Sequence, residues 1–140
     1  MKTETEIKKI LQNAKLKNTA SRAIILETLL NIKQPETAGE IYKRLRKNKI
    51  DLVTLYRTLA SFEKNKLVKR VDLHKDAIYY ELNLAHHHHI VCTSCEKVED
   101  FENTEIEKVL KQISAKSVKF KNVREHSLEL FGICNACVKN

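Results

Sequence analysis

Apolar residues recur through the first half of the chain at the three- and four-residue intervals of helices, then switch to the two-residue alternation of strands. Ile7, Ile10 and Leu11 make a short stripe. A longer one, Ile24, Ile25, Leu26, Leu29 and Leu30, starts behind Thr19 or Ser21, either of which can cap a helix, and Pro35 stops it. Thr37 opens a third helix with Ile41, Tyr42 and Leu45 inward and Lys43, Arg44, Arg46 and Lys47 outward. Asp51 precedes a fourth segment, VTLYRTLASFEKN, whose Leu55, Leu59 and Phe62 share one face with Leu52 just ahead of it. That spacing turns Thr54, Arg57, Thr58 and Ser61 to solvent, with Tyr56 at the margin. LVKRVDL and AIYYEL follow as strand-like runs joined by HKDA, which predicts a hairpin.

Helices followed by a hairpin in this order predict a winged helix-turn-helix over residues 1–84, its last helix, 53–65, entering the major groove. On that helix Arg57 reaches a guanine edge or a phosphate, and Tyr56 packs on a thymine methyl or binds backbone. Thr54 and Thr58 are short enough to admit close approach. Residues 85–140 predict a second, smaller unit. HHHIVC, KVEDF, VKFKNV and HSLELFGIC read as strands, and TEIEKVLKQISAK as a helix amphipathic through Ile106, Val109, Leu110 and Ile113. The fold class is α+β.

Charge sharpens this division. The net +8 lies wholly in residues 1–84, with 18 Lys/Arg against 10 Asp/Glu, whereas residues 85–140 carry 8 of each. A basic first half suits a polyanion such as double-stranded DNA, although a lysine coat for solubility gives the same balance. No apolar run approaches the roughly 18 residues of a membrane span, and MKTETEIKK lacks the apolar stretch of a signal peptide. The expectation is a cytoplasmic protein with no membrane partner.

The neutral half holds the metal chemistry. Cys92/Cys95 and Cys134/Cys137 are two Cys-x-x-Cys pairs, the spacing that lets four thiolates close a tetrahedral cage on structural zinc. In a reducing compartment that reading outranks two disulfides. Four consecutive histidines, His86 to His89, precede the first pair. Side chains alternate along a strand, so His86 and His88 face one way and His87 and His89 the other, which predicts two further sites needing ligands from elsewhere. The candidates are His126, His74, Glu81, Asp100 and Glu107. Mixed imidazole and carboxylate ligation suits Fe(II), Zn(II) or Mn(II) without separating them.

Along nearly its whole length the chain resembles the ferric uptake regulator family of metal-dependent repressors. The stretches that carry the likeness are LKNTASRAIILETLL, AGEIYKRLR, VTLYRTLASFEKNKLVKRV, IYYEL, HHHHIVCTSCEKVEDF and HSLELFGICNAC. The resemblance implies a homodimer in which a winged-helix domain is hinged to a small α/β dimerisation domain with structural zinc. It implies binding of palindromic operators when regulatory metal is loaded, with repression of metal uptake genes. It also implies structural zinc on Cys92, Cys95, Cys134 and Cys137, one site of His86, His88, Glu107 and His126, and a hinge site of Glu81, His87, His89 and Asp100. Tyr56 and Arg57 match the family's DNA-contacting pair, and Lys17 a basic residue that touches DNA backbone or minor groove.

The chain departs from the family pattern in places. Gln34 and Pro35 stand where iron and peroxide sensors usually carry a histidine, and no histidine precedes His74. Lys69 and Leu82 stand where the zinc-sensing branch tends to carry Asp and Cys, and Glu96 replaces a glycine after the first knuckle. Fe(II)-dependent repression is the leading expectation, with zinc sensing and peroxide sensing of the same family as alternatives. An enzyme built on an open metal centre leaves the DNA-binding half unexplained.

Overall fold

The computed structural model describes residues 2–139, and the chain divides into two compact units after Leu84. The first unit is built on α1 (Glu4–Asn13), α2 (Ala20–Leu30), β1 (Glu36–Thr37), α3 (Ala38–Arg44), α4 (Leu52–Lys64), β2 (Val68–Val71) and β3 (Tyr79–Leu82). Each helix starts where a side chain satisfies an orphan backbone donor. Thr3 and Thr37 form capping boxes with Glu6 and Glu40, Thr19 caps α2, and Asp51 caps α4. Leu11, Ile25, Leu26, Ile41, Leu45, Leu55, Leu59 and Phe62 interlock as one core. The wing is a three-stranded antiparallel sheet in the order β1-β3-β2, with Lys69 opposite Glu81. Its two-residue first strand was not foreseen from the sequence.

With two glycines in the whole chain, lysines close two of the helices. After α1 and α4, Lys15 and Lys66 take the left-handed conformation, with φ of 61° and 59°. The next residue's N–H then bonds back into the last turn, Leu16 to the Leu11 carbonyl at 2.9 Å and Leu67 to that of Phe62 at 2.8 Å. In both motifs two core leucines or a leucine and a phenylalanine are drawn together across the helix end.

The inward face of α4 corrects two sequence expectations. Leu55, Thr58, Leu59 and Phe62 are the buried residues, so Thr58, 7% exposed, belongs to the core side and not to the solvent face expected for it. Leu52 is exposed instead. Thr58 lies three residues from Leu55 and four from Phe62, between the two that anchor the helix, whereas Leu52 sits in the first turn at the edge of the core.

The second unit has β4 (His88–Cys92), β5 (Val98–Phe101), α5 (Thr104–Ala115), β6 (Glu129–Gly132) and a short α6 (Asn135–Val138). Strand β4 is central, antiparallel to β5 and parallel to β6. VKFKNV, expected as a strand, forms none, and Val118 is 95% exposed. Its residues pair with neither β5 nor β6, the two edge strands of the sheet. The apolar stripe of α5 is also uncovered, with Val109 and Ile113 exposed. Glu96 reaches φ 66° at the first knuckle, taking the backbone conformation a glycine there would adopt.

Candidate metal centres and nucleic-acid interface

The two Cys-x-x-Cys pairs come together from opposite ends of the second unit. Cys92 closes β4 and Cys95 follows in the knuckle turn, while Cys134 and Cys137 bracket the start of α6. The Sγ atoms of Cys92 and Cys137 are 3.9 Å apart, and those of Cys95 and Cys134 3.7 Å. Tetrahedral zinc with Zn–S bonds of about 2.3 Å requires edges of about 3.8 Å, so the donor set fits that ion. Backbone amides prepare the thiolates. The N–H groups of Cys95 and Cys134 point at Cys92 Sγ from 3.5 and 3.3 Å and hold its thiol down at about 6. Four thiols this close cannot all ionise without a cation between them.

A second cluster gathers around one carboxylate of α5. His88 Nε2 lies 2.6 Å and His86 Nε2 3.0 Å from Glu107 Oε1, and His126 Nε2 lies 3.2 Å from Oε2. His86 and His126 bring their Nε2 atoms to 3.1 Å. Hydrogen bonding from His88 first, then from His86, against the opposing effect of burial, leaves the Glu107 carboxyl at about 2. Ionised carboxylate and convergent imidazole nitrogens are the donors that ligate a divalent ion, and the cluster need open only slightly to reach the edges of about 3.3–3.6 Å that tetrahedral bonds of about 2.0–2.2 Å require.

The other two histidines turn the opposite way along the chain. His87 and His89 stack edge to face with ring centroids 4.9 Å apart. His87 Nδ1 lies 3.1 Å from the Ala85 carbonyl, and His89 Nε2 lies 3.7 Å from Asp100 Oδ1. In the first unit, Glu81 faces Lys69 across the wing, with Oε1 3.3 Å from Nζ. His74 lies in the wing turn, where its N–H donates to Asp72 at 2.9 Å.

The outer face of α4 is set by the same periodicity that buries its inner face. Val53, Tyr56, Arg57 and Ala60 are exposed and spaced three and four apart, so they form one stripe. Thr54 is half-buried, its N–H donated to Asp51 at 2.6 Å. Lys17 is exposed in the α1–α2 loop, where its carbonyl accepts from Arg22 at 3.2 Å. The sequence reading missed Val53, 58% exposed. Its position three residues before Tyr56 and four before Arg57 was the available signal.

Comparison with known proteins gives a consistent result. The Ferric uptake regulator family profile matches residues 13–131. The chain is 39% identical over 134 residues to the ferric uptake regulation protein of Vibrio cholerae, covering 90% of this chain and 85% of that one. It is 32% identical over 139 residues to the peroxide operon regulator of Bacillus subtilis, covering 96% and 94%. The solved structure of the ferric uptake regulator from Pseudomonas aeruginosa with manganese is similar at a TM-score of 0.77 and 30% identity, covering 96% of this chain and 99% of that chain. With the profile spanning most of the chain and relatives aligned along nearly all of it, this protein belongs to the ferric uptake regulator family.

Proposed function

We propose that this protein is a metal-responsive repressor that binds palindromic operator DNA as a homodimer when Fe(II) occupies its regulatory site, and so controls metal uptake genes. The observation that carries the reading is the division of one histidine run between two donor sets, in a unit separate from the basic one that bears α4. Cys92, Cys95, Cys134 and Cys137 would hold structural zinc. His86, His88, Glu107 and His126 would hold a second ion. His87, His89 and Asp100, with Glu81 contributed by the first unit, would hold the regulatory one. The mixed nitrogen and oxygen donors suit Fe(II), Zn(II) or Mn(II), and the names of the similar proteins favour iron.

Ion binding to ligands from both units would favour the arrangement in which two recognition helices meet successive major grooves, about 34 Å apart. On DNA, Tyr56, Arg57, Thr54 and Lys17 would make the contacts. A second copy is supported by the uncovered apolar residues of the second unit, among them Val109, Ile113, Phe120 and Leu130. Among the described residues no helix is long and apolar enough to cross a membrane, which fits a protein that works on DNA.

Titrating zinc-loaded protein anaerobically with Fe(II), Zn(II) and Mn(II) against a selected operator at fixed salt tests the proposal. Coupling of about 1–3 kcal/mol predicts a roughly 5- to 150-fold rise in affinity with the sensed metal. Equal DNA affinity with and without every metal rejects it. Irreversible loss of binding after peroxide treatment of the Fe(II) form would favour peroxide sensing, the role named for the Bacillus subtilis relative.

A further inference from the structure

An imidazole that ligates a metal through one nitrogen carries its proton on the other, and a fixed acceptor for that proton sets both tautomer and ring orientation. His87 has such an acceptor in the Ala85 carbonyl, 3.1 Å from Nδ1, which leaves the lone pair on Nε2. His89 is 1% exposed, so bulk water does not supply its acceptor. The sheet supplies a row of groups instead. Both neighbouring strands place an acid directly opposite His89, Asp100 on β5 and Glu129 on β6.

The two carboxylates differ in character. Asp100 is 48% exposed and lies 3.7 Å from Nε2. Glu129 is 17% exposed, and its Oε1 lies 4.0 Å from Nδ1. Both of its oxygens accept from the Ser127 hydroxyl, at 3.0 and 2.9 Å. Glu129 is thus a tethered anion on the Nδ1 side of the ring, whereas Asp100 lies on the Nε2 side. The gap exceeds an N–H···O hydrogen bond by about 1 Å, the shift that closing the contact requires.

We infer that Glu129, held by Ser127, is the positioning residue of His89: it accepts the Nδ1 proton and thereby aims the Nε2 lone pair at the regulatory ion. This rests on the proposed regulatory site and adds a residue to it. Glu129 acts through His89 and is not itself a ligand.

Two readouts on the full-length, zinc-loaded protein test it. Long-range 15N–1H spectra of the imidazoles, recorded where histidine is neutral, report the His89 tautomer without added metal. Titration with Co(II) reports the affinity of the site that His89→Ala removes. Wild type is expected to show Nδ1–H at His89. Glu129→Ala should shift His89 toward Nε2–H and weaken Co(II) binding about 10- to 100-fold. Ser127→Ala should move both in the same direction by less, and Glu129→Gln, which keeps an acceptor oxygen, should fall between wild type and Glu129→Ala. Weakened binding with an unchanged tautomer would assign Glu129 to a bare charge effect or direct ligation and overturn the inference, as would no change in either readout. If Glu129→Ala fails to fold, Glu129→Gln and Ser127→Ala decide by the same criteria. Unchanged Co(II) affinity in His89→Ala would instead reject the regulatory site, while the tautomer spectra still judge the role of Glu129.

Discussion

His86 and His126 place their Nε2 atoms 3.1 Å apart across 40 residues of sequence, with the Glu107 carboxylate beside both. His88 completes the cluster, whereas the next residue along the strand, His89, is directed to Asp100 and Glu129. Neighbouring histidines should therefore respond differently to mutation. His86→Ala should first lower metal content or dimer stability, and His87→Ala should abolish metal-stimulated DNA binding while dimer and structural zinc survive. Gel-shift titration together with sedimentation of both variants measures this. Identical behaviour in both assays would make the run a single cluster.

Reduced protein should keep about one zinc per chain through dialysis against a weak chelator. Cys92→Ser should lose that zinc together with the fold of the second unit, whose buried hydrophobic residues are Val91, Cys92 and Val98 among those described. Metal analysis and amide exchange across residues 85–140 report the outcome. A fully protected zinc-free variant would contradict it.

Arg57→Ala is expected to weaken operator binding by about 1–3 kcal/mol with metal content and dimerisation unchanged. Thr58→Val, a change on the core side of the same helix, should leave the DNA affinity of folded protein as it was. Fluorescence anisotropy at fixed salt distinguishes the two. An effect of Thr58→Val equal to that of Arg57→Ala would put the DNA face of α4 in the wrong place.

The Thr54 N–H bonds to the Asp51 carboxylate at 2.6 Å and holds its pKa below the ordinary value. A lowered folded-state pKa means that the cap stabilises α4 above the unfolded pKa and is lost as pH falls through the folded one. Asp51→Ala should lower the thermal midpoint by a few degrees at neutral pH. That difference should shrink below about pH 4. A difference that persists undiminished in acid would place the effect elsewhere than the carboxylate.

Lys66→Gly should stabilise the first unit by about 0.5–1 kcal/mol. Glycine relieves the left-handed strain at φ 59° and gives back part of the gain through a freer unfolded chain. Urea unfolding monitored on the first unit provides the number. Destabilisation would show that the lysine side chain contributes more than its backbone costs.

The sequence by itself determined the elements that depend on local physics. Helix starts were legible at Thr37 and Asp51, and for α2 to within Thr19 or Ser21, because a cap is a contact across three residues, and the cage was legible because Cys-x-x-Cys positions two thiols within one turn. Alternation along a strand likewise separates His86 and His88 from His87 and His89. The tertiary structure decided what depends on neighbours distant in the chain. Thr58 is buried because the face of α4 it shares with Leu55 and Phe62 packs into a core with Leu11, Ile25 and Ile41, far away in the chain. VKFKNV has a strand-like sequence but no partner along either edge of the β5-β4-β6 sheet, and without a partner it forms no strand. Glu129 became part of the site only when the register of a parallel strand, 40 residues away from His89, set it in the same row. A spacing rule sees contacts within a turn, and a register is fixed only when a sheet closes.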